Sequence, residues 1–371
     1  MALFDIKAQP NVDELIRILR REGGNSKSHG TAIKDFTPSR VHNMELFLDV
    51  EIQEAVAERF RLLKGLRHED PYYHCKRNAA VMRFLGYDHV FSFLDIEMPL
   101  FRLDTADTAA LPRAARSFQD EHHGPIMSWE DFEKYPWPDV ATSSFADLDW
   151  YQENLPEDMC IIPSGTGWLC EHITWLMGYE TLCYALFDQR DLVKAISDRL
   201  VAIARQALAR VLSYSKVKAV WAHDDMGFKT GTLISPADLR EFVLPGHKML
   251  AKMAHDAGRP YLLHSCGQLS DIMPDLIDNV GIDAKHSYED TILPVAEAKR
   301  LYGDKITLLG GIDMNFICTA DEPVIRQRVR QTLDACMPGG GYCLGTGNSV
   351  ANYIPLDNYL VMLDEGRRWG R

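Results

Sequence analysis

The stretch Pro260-Tyr-Leu-Leu-His264-Ser-Cys266-Gly267 combines an apolar run with a histidine, a cysteine and a glycine at its end. The run is typical of a short buried strand, in which side chains alternate between the two faces of a sheet. His264 and Cys266 are two residues apart, so an extended backbone places both on one face. Imidazole and thiolate are ligands that zinc prefers. The stretch predicts one strand and half of a zinc site; a buried structural histidine beside an inert cysteine is the alternative.

Short apolar runs of the same kind recur along the chain and predict seven further strands. They lie at residues 89–94, 159–163, 217–222, 282–285, 306–309 and 341–344, and within residues 40–47, where a short strand and its exit loop are expected. From residue 158 onward helical patterns separate the runs, and strands that alternate with helices pair in parallel. Eight such strands predict an α/β protein, a (β/α)8 TIM barrel, as a single domain over residues 1–371. An open doubly wound sheet is the alternative, although no glycine-rich phosphate-binding sequence follows the first strand.

Two segments do not follow this alternation. Residues 1–36 contain an amphipathic pattern over residues 11–22, which predicts an N-terminal helical extension. Residues 95–150 are rich in proline, aspartate, serine and aromatic residues, with weak periodicity. A linker would not carry so many large aromatic side chains, so we predict an excursion made of a hairpin and short helices. It is expected to pack over the barrel; lining of the barrel mouth is the alternative.

Composition and charge exclude several classes of partner. The chain has 371 residues, of which 46% are hydrophobic and 25% charged, and its formal net charge is −13. Nucleic acids and anionic membranes need clustered Lys and Arg, so we expect neither as a partner. No apolar run reaches the length of a membrane span, and the first residues show no signal-peptide pattern. The eight cysteines are therefore expected to be reduced thiols in the cytoplasm.

Polar residues collect directly after the predicted strands. Asp224 and Asp225 follow the strand at 217–222, and Glu289 follows the strand at 282–285. Similar positions are taken by His223, His286, Asp313 and Asn348. Active sites of (β/α)8 barrels lie at the C-terminal ends of the strands, so these residues are candidates for a site, with a capping role as the alternative for each.

A third protein ligand is needed to complete a zinc site with His264 and Cys266. Cys343 lies in the last predicted strand, and Cys318 lies in the loop after the strand at 306–309. A strand holds a ligand more rigidly than a loop nine residues past its strand. Cys343 is therefore preferred, and Cys318 is the alternative.

These motifs together resemble the uroporphyrinogen decarboxylase superfamily from about residue 158 to the C-terminus. The resemblance is carried by His264-Ser-Cys266-Gly267, by Asp224-Asp225-Met-Gly and Leu233-Ile-Ser-Pro236 before it, and by Gly310-Gly-Ile-Asp313 and Gly339-Gly-Gly-Tyr-Cys343 after it. It implies a (β/α)8 barrel and one of two activities. One branch decarboxylates porphyrinogens, and the other contains zinc-dependent methyltransferases that serve corrinoid proteins.

The two branches differ in residues that this chain allows us to compare. The decarboxylase branch binds the many carboxylates of its substrate with an arginine-rich N-terminal segment, whereas residues 37–44 offer only Arg40. The methyltransferase branch carries H-x-C and a distant cysteine as zinc ligands, and His264, Cys266 and Cys343 match that pattern. The resemblance further implies that Glu289 completes the empty site. Asp224 and Asp225 are assigned to orienting a substrate group, with an ordinary turn role as the alternative.

Three protein ligands leave one position on zinc open, as in catalytic sites. There zinc can stabilise a substrate thiolate that accepts a methyl group, or act as a Lewis acid on a methoxy or amine donor. No corrinoid-binding D-x-H-x-x-G string is present, so methylcobalamin or another corrinoid is expected on a partner protein. A homodimer fits the family. The remaining alternatives are a decarboxylase of a tetrapyrrole or related acid and a non-catalytic barrel that binds zinc or another ligand.

Overall fold

Short strands and the helices between them form the body of the protein. The computed structural model describes residues 3–21, 38–109, 111, 113, 115–164 and 166–370. Its strands are β1 (His89–Phe93), β2 (Arg102–Thr105), β3 (Arg116–Gln119), β4 (Cys160–Ser164), β5 (Val220–His223), β6 (Tyr261–His264), β7 (Ala284–His286), β8 (Thr307–Leu309) and β9 (Tyr342–Cys343). Its α-helices are α1 (Val12–Leu19), α2 (Val50–Phe60), α3 (Tyr73–Leu85), α4 (Trp129–Lys134), α5 (Ala146–Asn154), α6 (Cys170–Met177), α7 (Tyr179–Asp188), α8 (Arg190–Val211), α9 (Pro236–Phe242), α10 (Leu244–Asp256), α11 (Val295–Tyr302), α12 (Met314–Thr319), α13 (Glu322–Cys336) and α14 (Leu356–Arg368).

Seven of the strands run parallel around a barrel. β1 pairs with β4, and β5 to β9 pair in sequence order as a five-stranded sheet. A parallel bridge between Ile161 and Val217 joins the two sheets. The arrangement agrees with the predicted (β/α)8 barrel, in which each parallel strand is followed by a helical connection.

The eighth position of the barrel belongs to an extended segment that the sequence predicts as a strand at 40–47. The amide of Met44 donates to the carbonyl of Leu344, and the amide of Leu344 donates to the carbonyl of His42. Parallel bridges join Asn43 to Leu344 and Leu48 to Val350. The predicted short strand therefore takes its place in the barrel as an extended segment with isolated bridges, and the described residues form no continuous ladder of strand pairs there.

Alternating side chains divide the core into two parts. Phe91, Trp221 and Leu262 lie in the barrel interior, whereas Val90 and Leu263 belong to the apolar layer shared with the helices. Strands of parallel sheets are buried on both faces, which explains why they appear in the sequence as nearly continuous apolar runs.

Helix α1 closes the N-terminal end of the barrel. Leu15, Ile18 and Leu19 are fully buried and belong to the interior cluster of the strands. The hydroxyl of Thr307 at the start of β8 donates to the carbonyl of Ile18 over 2.7 Å. The predicted helix at 11–22 is thus observed as Val12–Leu19. The rest of the predicted extension, from residue 22 onward, lies outside the described residues.

The excursion at residues 95–150 contains the predicted hairpin and short helices. β2 and β3 pair in antiparallel register, and α4 and the 3-10 turn Val140–Thr142 follow. Tyr135 is buried, and its hydroxyl donates to the carbonyl of Pro99 over 2.9 Å. Trp137 contacts the body, because the guanidinium of Arg199 on α8 lies over its ring, 5.8 Å from the centroid. Among the described helices, none combines the length and the apolar character needed to cross a bilayer.

Candidate metal centre at the barrel mouth

Three possible ligands for a metal ion meet where β5 and β6 end. One atom from each of Asp225, His264 and Cys266 lies within 4.8 Å of the other two. Nε2 of His264 is 3.4 Å from Oδ1 of Asp225 and 3.4 Å from Sγ of Cys266. The pairing of β5 with β6 sets this arrangement, because His223 and His264 are in register and the two loops leave the sheet side by side.

Two glycines bring the loops after β5 and β6 into contact. Gly267 has a φ of +84°, and a Cβ on this residue would lie 2.2 Å from the carbonyl carbon of Gly227. The backbone amide of Cys266 donates to Oδ1 of Asp225 over 2.7 Å. Because only glycine tolerates both the backbone conformation and the close approach, these glycines keep the carboxylate next to the thiol.

A chain of hydrogen bonds orients the His264 ring. Nε2 of His286 is 3.1 Å from the carbonyl of Thr346, which can only accept, so this nitrogen carries a proton. Burial lowers the pKa of His286 well below its usual value, so the ring is neutral and its Nδ1 accepts. Nδ1 of His264, 2.8 Å away, is then the donor. When neutral, His264 therefore directs its Nε2 lone pair at the space shared with Asp225 and Cys266, which is the arrangement of metal-ligating histidines.

The charges at this site favour a cation. Burial raises the pKa of the Cys266 thiol, and the carboxylate of Asp225 raises it further. Burial also opposes ionisation of Asp225, but the hydrogen bond and the charge that His264 supplies when its ring is protonated outweigh it and lower the pKa of this carboxyl. A thiol held protonated next to a carboxylate loses its proton readily when a divalent cation binds between them.

Two further polar groups contact the Cys266 sulfur. Nδ2 of Asn348 lies 3.2 Å from Sγ, and the hydroxyl of Ser287 lies 3.5 Å from it. A cleft lined in part by Gly267, Ser287 and Glu289 lies next to the loop that carries Cys266. Cys266 itself is only partly buried.

Cys343, the third ligand predicted from the sequence, does not lie with His264 and Cys266. It is fully buried in the barrel interior, in the cluster that contains Leu262 and Ala284. Burial raises the pKa of its thiol, and the charged groups that act on it are Asp88 and Arg40, which precede the strands. Cys343 thus sits toward the N-terminal end of the barrel, and the predicted ligand set is corrected.

Strand tilt explains the correction. The register runs from His264 to His286, Leu309 and Cys343 across three strand pairs. Strands of an eight-stranded barrel tilt by about 36°, with a shear of about one residue per strand. In-register residues three strands apart are therefore displaced by roughly three residues, or about 10 Å, along the barrel.

The predicted catalytic residues Asp224 and Asp225 have different surroundings in the structure. Asp224 is fully buried and accepts hydrogen bonds from the amides of Cys170 and Glu171, both at 2.9 Å, and from Nε2 of His247 at 2.7 Å. Asp224 therefore anchors the start of α6, a structural role like the one given above as the alternative to orienting a substrate. Asp225 belongs to the ligand group.

Glu289 stands at the edge of the site. It is half-buried and lines the cleft beside Cys266. Burial raises the pKa of its carboxyl, and the neighbouring charges of Asp313 and Asp225 raise it further. Among the described residues, the ligand group itself comprises Asp225, His264 and Cys266, so Glu289 is a neighbour of the group and lies outside it.

Glu171 is a site residue that sequence reasoning missed. Its carboxylate accepts a hydrogen bond from the backbone of Asp225, and burial raises the pKa of this carboxyl well above its usual value. It lies on α6, far from the strand-end motifs in sequence. No motif identified in the sequence includes Glu171, so no local signal marked it.

Comparison with known proteins identifies the family. The family model described as Uroporphyrinogen decarboxylase (URO-D) matches residues 66–369. The chain belongs to the uroporphyrinogen decarboxylase family. This confirms the resemblance found in the sequence. A solved methyltransferase from Methanosarcina mazei, 15% identical, covers 98% of this chain and 100% of its own with a TM-score of 0.69, which supports the barrel fold.

Curated relatives of this URO-D family protein have two kinds of activity in their names. A methylated-thiol–coenzyme M methyltransferase from Methanosarcina mazei is 29% identical over 152 residues, which is 40% of this chain and 39% of the relative. A methylcobamide:CoM methyltransferase, MtaA, from Methanosarcina barkeri is 29% identical over 131 residues, 35% of this chain and 36% of the relative. A uroporphyrinogen decarboxylase from Cupriavidus necator is 34% identical over 85 residues, 22% of this chain and 23% of the relative. The chain thus aligns with about two fifths or less of the length of these relatives.

Proposed function

We propose that this URO-D family protein is a zinc-dependent methyltransferase that moves a methyl group between a small thiol, methoxy or amine substrate and the cobalt of a corrinoid held by a partner protein. The observation that carries the proposal is the convergence of Asp225, His264 and Cys266 at the barrel mouth. The methyltransferases among its relatives support the same activity.

The donor set fits zinc. It offers an imidazole nitrogen whose partner nitrogen is already engaged by His286, a thiol sulfur and a carboxylate oxygen, and these are the three atom types that Zn²⁺ binds in proteins. Three protein ligands leave room for a substrate atom. Zinc held by Asp225, His264 and Cys266 would supply Lewis acidity, which stabilises a substrate thiolate or polarises a bound methoxy or amine group.

The side chains around the ligand group determine what can bind. Asn348 and Ser287 contact the Cys266 sulfur and fix its direction. His286 and Thr346 hold the His264 ring. In the direction of demethylation, a corrinoid supplied by the partner protein would provide the nucleophile that accepts the methyl group. The heteroatom leaves with its bonding pair and takes up one proton, so charge and atoms balance.

Decarboxylation of a porphyrinogen fits this mouth less well. The carboxylate of Asp225, whose pKa is lowered, lies within it and would repel a substrate with many carboxylates. Arg40, the one arginine of the segment at 37–44, is paired with the buried carboxylate of Asp88. That guanidinium is therefore already used in an internal ion pair.

Metal analysis of purified variants tests the proposal. We expect about one zinc per chain in the wild type and loss of zinc in Asp225→Asn, His264→Ala and Cys266→Ser. Cys343→Ser is the matched control, because it removes a buried thiol from the barrel interior and is expected to retain the metal. Zinc retained in Asp225→Asn but lost in Cys343→Ser would restore the ligand set predicted from the sequence.

Activity is measured separately, as demethylation of methylcobalamin by small thiols and as methylation of cob(I)alamin by methoxy and amine donors, followed by cobalamin absorbance. Transfer in either direction that disappears with Cys266→Ser supports the proposal. A zinc-loaded chain that transfers no methyl group with any of these substrates would leave a zinc-binding barrel without chemistry.

A further inference from the structure

A second group of possible metal ligands lies outside the barrel, between helices α3 and α5. Among the described residues, His74, Cys75 and Asp147 form the one group besides that at the barrel mouth in which three such side chains each place a donor atom within 4.8 Å of the other two. His74 and Cys75 lie in the first turn of α3, and Asp147 lies in the first turn of α5. Imidazole nitrogen, thiol sulfur and carboxylate oxygen are donors that zinc binds. The two helices therefore offer the donors of a zinc site away from the proposed active site.

His74 and Asp147 form the exposed side of the group. Nε2 of His74 lies 2.8 Å and 2.9 Å from the two carboxylate oxygens of Asp147. The His74 side chain is 56% exposed and the Asp147 side chain is 41% exposed. An ion pair between side chains this exposed contributes little to stability, so the two side chains can separate to admit an ion. Water would take the remaining coordination position of that ion on this side.

Cys75 forms the buried side of the group. The residue is fully buried, and burial, followed by the charge of Asp147, raises the pKa of its thiol to about 12. The thiol is also hydrogen-bonded to the carboxylate of Asp147, so it donates its proton there. A divalent cation that replaces this proton would bind the sulfur and the carboxylate together.

Tyr151 and Asn78 support the Cys75 sulfur. Nδ2 of Asn78 donates to the carbonyl of Phe91 over 2.9 Å and to the hydroxyl of Tyr151 over 2.8 Å. Because the Tyr151 oxygen accepts from Asn78, its own proton is free for Cys75, to which the hydroxyl is hydrogen-bonded. This hydrogen bond acts to lower the pKa of the thiol. A donor directed at a buried sulfur stabilises the thiolate, and such support is typical of metal ligands.

An aromatic contact holds the two helices beside each other. The rings of Tyr72, directly before α3, and Trp150, on α5, are stacked with 6.2 Å between centroids and 23° between planes. Trp150 is three residues after Asp147, and the Tyr72 ring lies 6.5 Å from the His74 ring. The stacking brings the three donor side chains together without a metal ion, so little of the chain has to be ordered when an ion binds.

The donor set favours zinc over harder ions. Mg²⁺ and Ca²⁺ bind oxygen atoms, and this group contains a single carboxylate. Imidazole and thiolate together suit zinc. Two of the donors are exposed and must be immobilised on binding, whereas the side chain of His264 at the barrel mouth is only 5% exposed. We therefore expect weaker binding between α3 and α5, so that this site fills when zinc is supplied, in addition to the ion that the mouth retains.

We propose that His74, Cys75 and Asp147 bind a second zinc ion, which links the start of α3 to α5 and ties the end of the 95–150 excursion to the barrel. The inference goes beyond the proposed function and does not depend on it. On binding, the bond between hydrogen and the Cys75 sulfur breaks, the sulfur gives its electron pair to zinc, and the proton goes to solvent. The neutral His74 ring carries its proton on Nδ1 in the complex, which leaves the Nε2 lone pair for zinc.

Zinc binding by the full chain in the Cys266→Ser background tests the site, because this change is expected to remove the metal of the barrel mouth. Equilibrium dialysis against zinc chloride is expected to give about one zinc ion per chain. His74→Ala and Cys75→Ser, each added to this background, are expected to weaken binding at least about a hundredfold, more than the loss of a supporting hydrogen bond. His74→Ala alters an exposed side chain, so its result does not depend on the folding of a core variant.

His122→Ala is the matched control for zinc binding. His122 forms a similar exposed pair with Glu180, over 2.7 Å, but belongs to no group of three possible ligands within the described part of the chain. This variant is expected to bind zinc as its background does. An absence of zinc binding in the Cys266→Ser background, or an equal loss in His122→Ala and His74→Ala, would overturn the inference.

Cobalt(II) identifies the sulfur ligand, because cobalt bound to a thiolate gives a charge-transfer band in the near ultraviolet. The band is expected in the Cys266→Ser background and is expected to disappear when Cys75→Ser is added. Cys183→Ser is the control, since this partly buried thiol lies on α7 outside the group. Urea unfolding without metal checks that each variant is folded. A cobalt–thiolate band that persists without Cys75 would overturn the inference.

Amide hydrogen exchange tests the link between the helices. In the Cys266→Ser background, added zinc is expected to slow exchange at the start of α3 and in the first turn of α5, because an ion held by both helices opposes their local opening. The same addition is expected to change nothing at these positions in the variant that also carries His74→Ala. Zinc that binds and protects neither helix would overturn the proposed link.

Discussion

Gly267 shows how much of the site depends on a single backbone position. Its φ of +84° is unfavourable for other residues, and a side chain would meet the backbone of Gly227 at 2.2 Å. Sequence reasoning used Gly267 only as the end of a strand motif. In the structure it determines the distance between the loops that carry Asp225 and Cys266.

We therefore expect Gly267→Ala to lose zinc and to lower the free energy of unfolding by at least about 2 kcal/mol, from backbone strain together with steric overlap. Gly65→Ala is the control, because Gly65 has a φ of +89° with no atom within 4 Å of the added Cβ. Urea unfolding and metal analysis of both variants separate strain from overlap. Equal losses in the two variants would show that the contact with Gly227 has no effect.

Glu45 is expected to make stability depend on pH. Burial raises the pKa of its carboxyl from 4.5 to about 8, although hydrogen bonds from Thr346 act in the opposite direction. The folded chain then holds a proton that the unfolded chain releases above pH 4.5, so stability falls as the pH rises from there through about 8.

Glu45→Gln keeps the shape of the side chain and removes its titration. The wild type is expected to lose a few kcal/mol of unfolding free energy between pH 5 and pH 9 relative to the variant, on the order of the shift in pKa. Urea unfolding of both proteins at the two pH values measures the difference. Parallel pH profiles would show that this carboxyl does not titrate as described.

The sequence predicted helix α1 but not its role in closing the N-terminal end of the barrel. Its amphipathic pattern was clear, but the pattern does not say which surface the apolar face covers. In the structure Leu15, Ile18 and Leu19 seal the N-terminal end of the barrel. The opposite end remains open for the site, which agrees with the placement of active sites in these barrels.

Two isoleucines of α1 provide a matched comparison. Ile18 is fully buried, whereas Ile16 is only partly buried. Ile18→Ala is expected to lower the unfolding free energy by about 2–4 kcal/mol, and Ile16→Ala by less than half as much. Zinc content is expected to stay unchanged in both, because the helix closes the opposite end from the ligand group. Equal destabilisation would mean that α1 does not seal the barrel.

For the whole molecule, we expect the barrel and the proposed metal centre to be separable. The interior cluster is apolar and does not include the ligand group, so folding is not expected to depend on the metal. Removal of zinc by a chelator is expected to leave the far-ultraviolet circular dichroism unchanged, to lower the Tm by a few degrees and to abolish methyl transfer. One equivalent of zinc is expected to restore activity. A chain that unfolds on chelation would contradict this separation.

The sequence contained enough information for much of the fold and part of the site. Apolar runs between helical patterns gave the barrel strands, because parallel strands are buried on both faces. The spacing in His264-Ser-Cys266 predicted that two of the three possible ligands lie side by side at the end of β6. The extent of the strand within 40–47 and the choice between a substrate role and a structural role for Asp224 could not be determined from the sequence, since both depend on contacts with distant parts of the chain.

What the sequence by itself determined is local: the strands, the end of the barrel at which polar residues collect, and the pair His264 and Cys266. Only the tertiary structure decided which residue joins that pair. The tilt of the strands carries Cys343 down into the barrel interior, and the contact of Gly227 with Gly267 brings Asp225 alongside instead. The tilt of the strands and the contact between the loops after β5 and β6 arise only when the barrel forms. They therefore cannot be predicted from the spacing of residues along the chain.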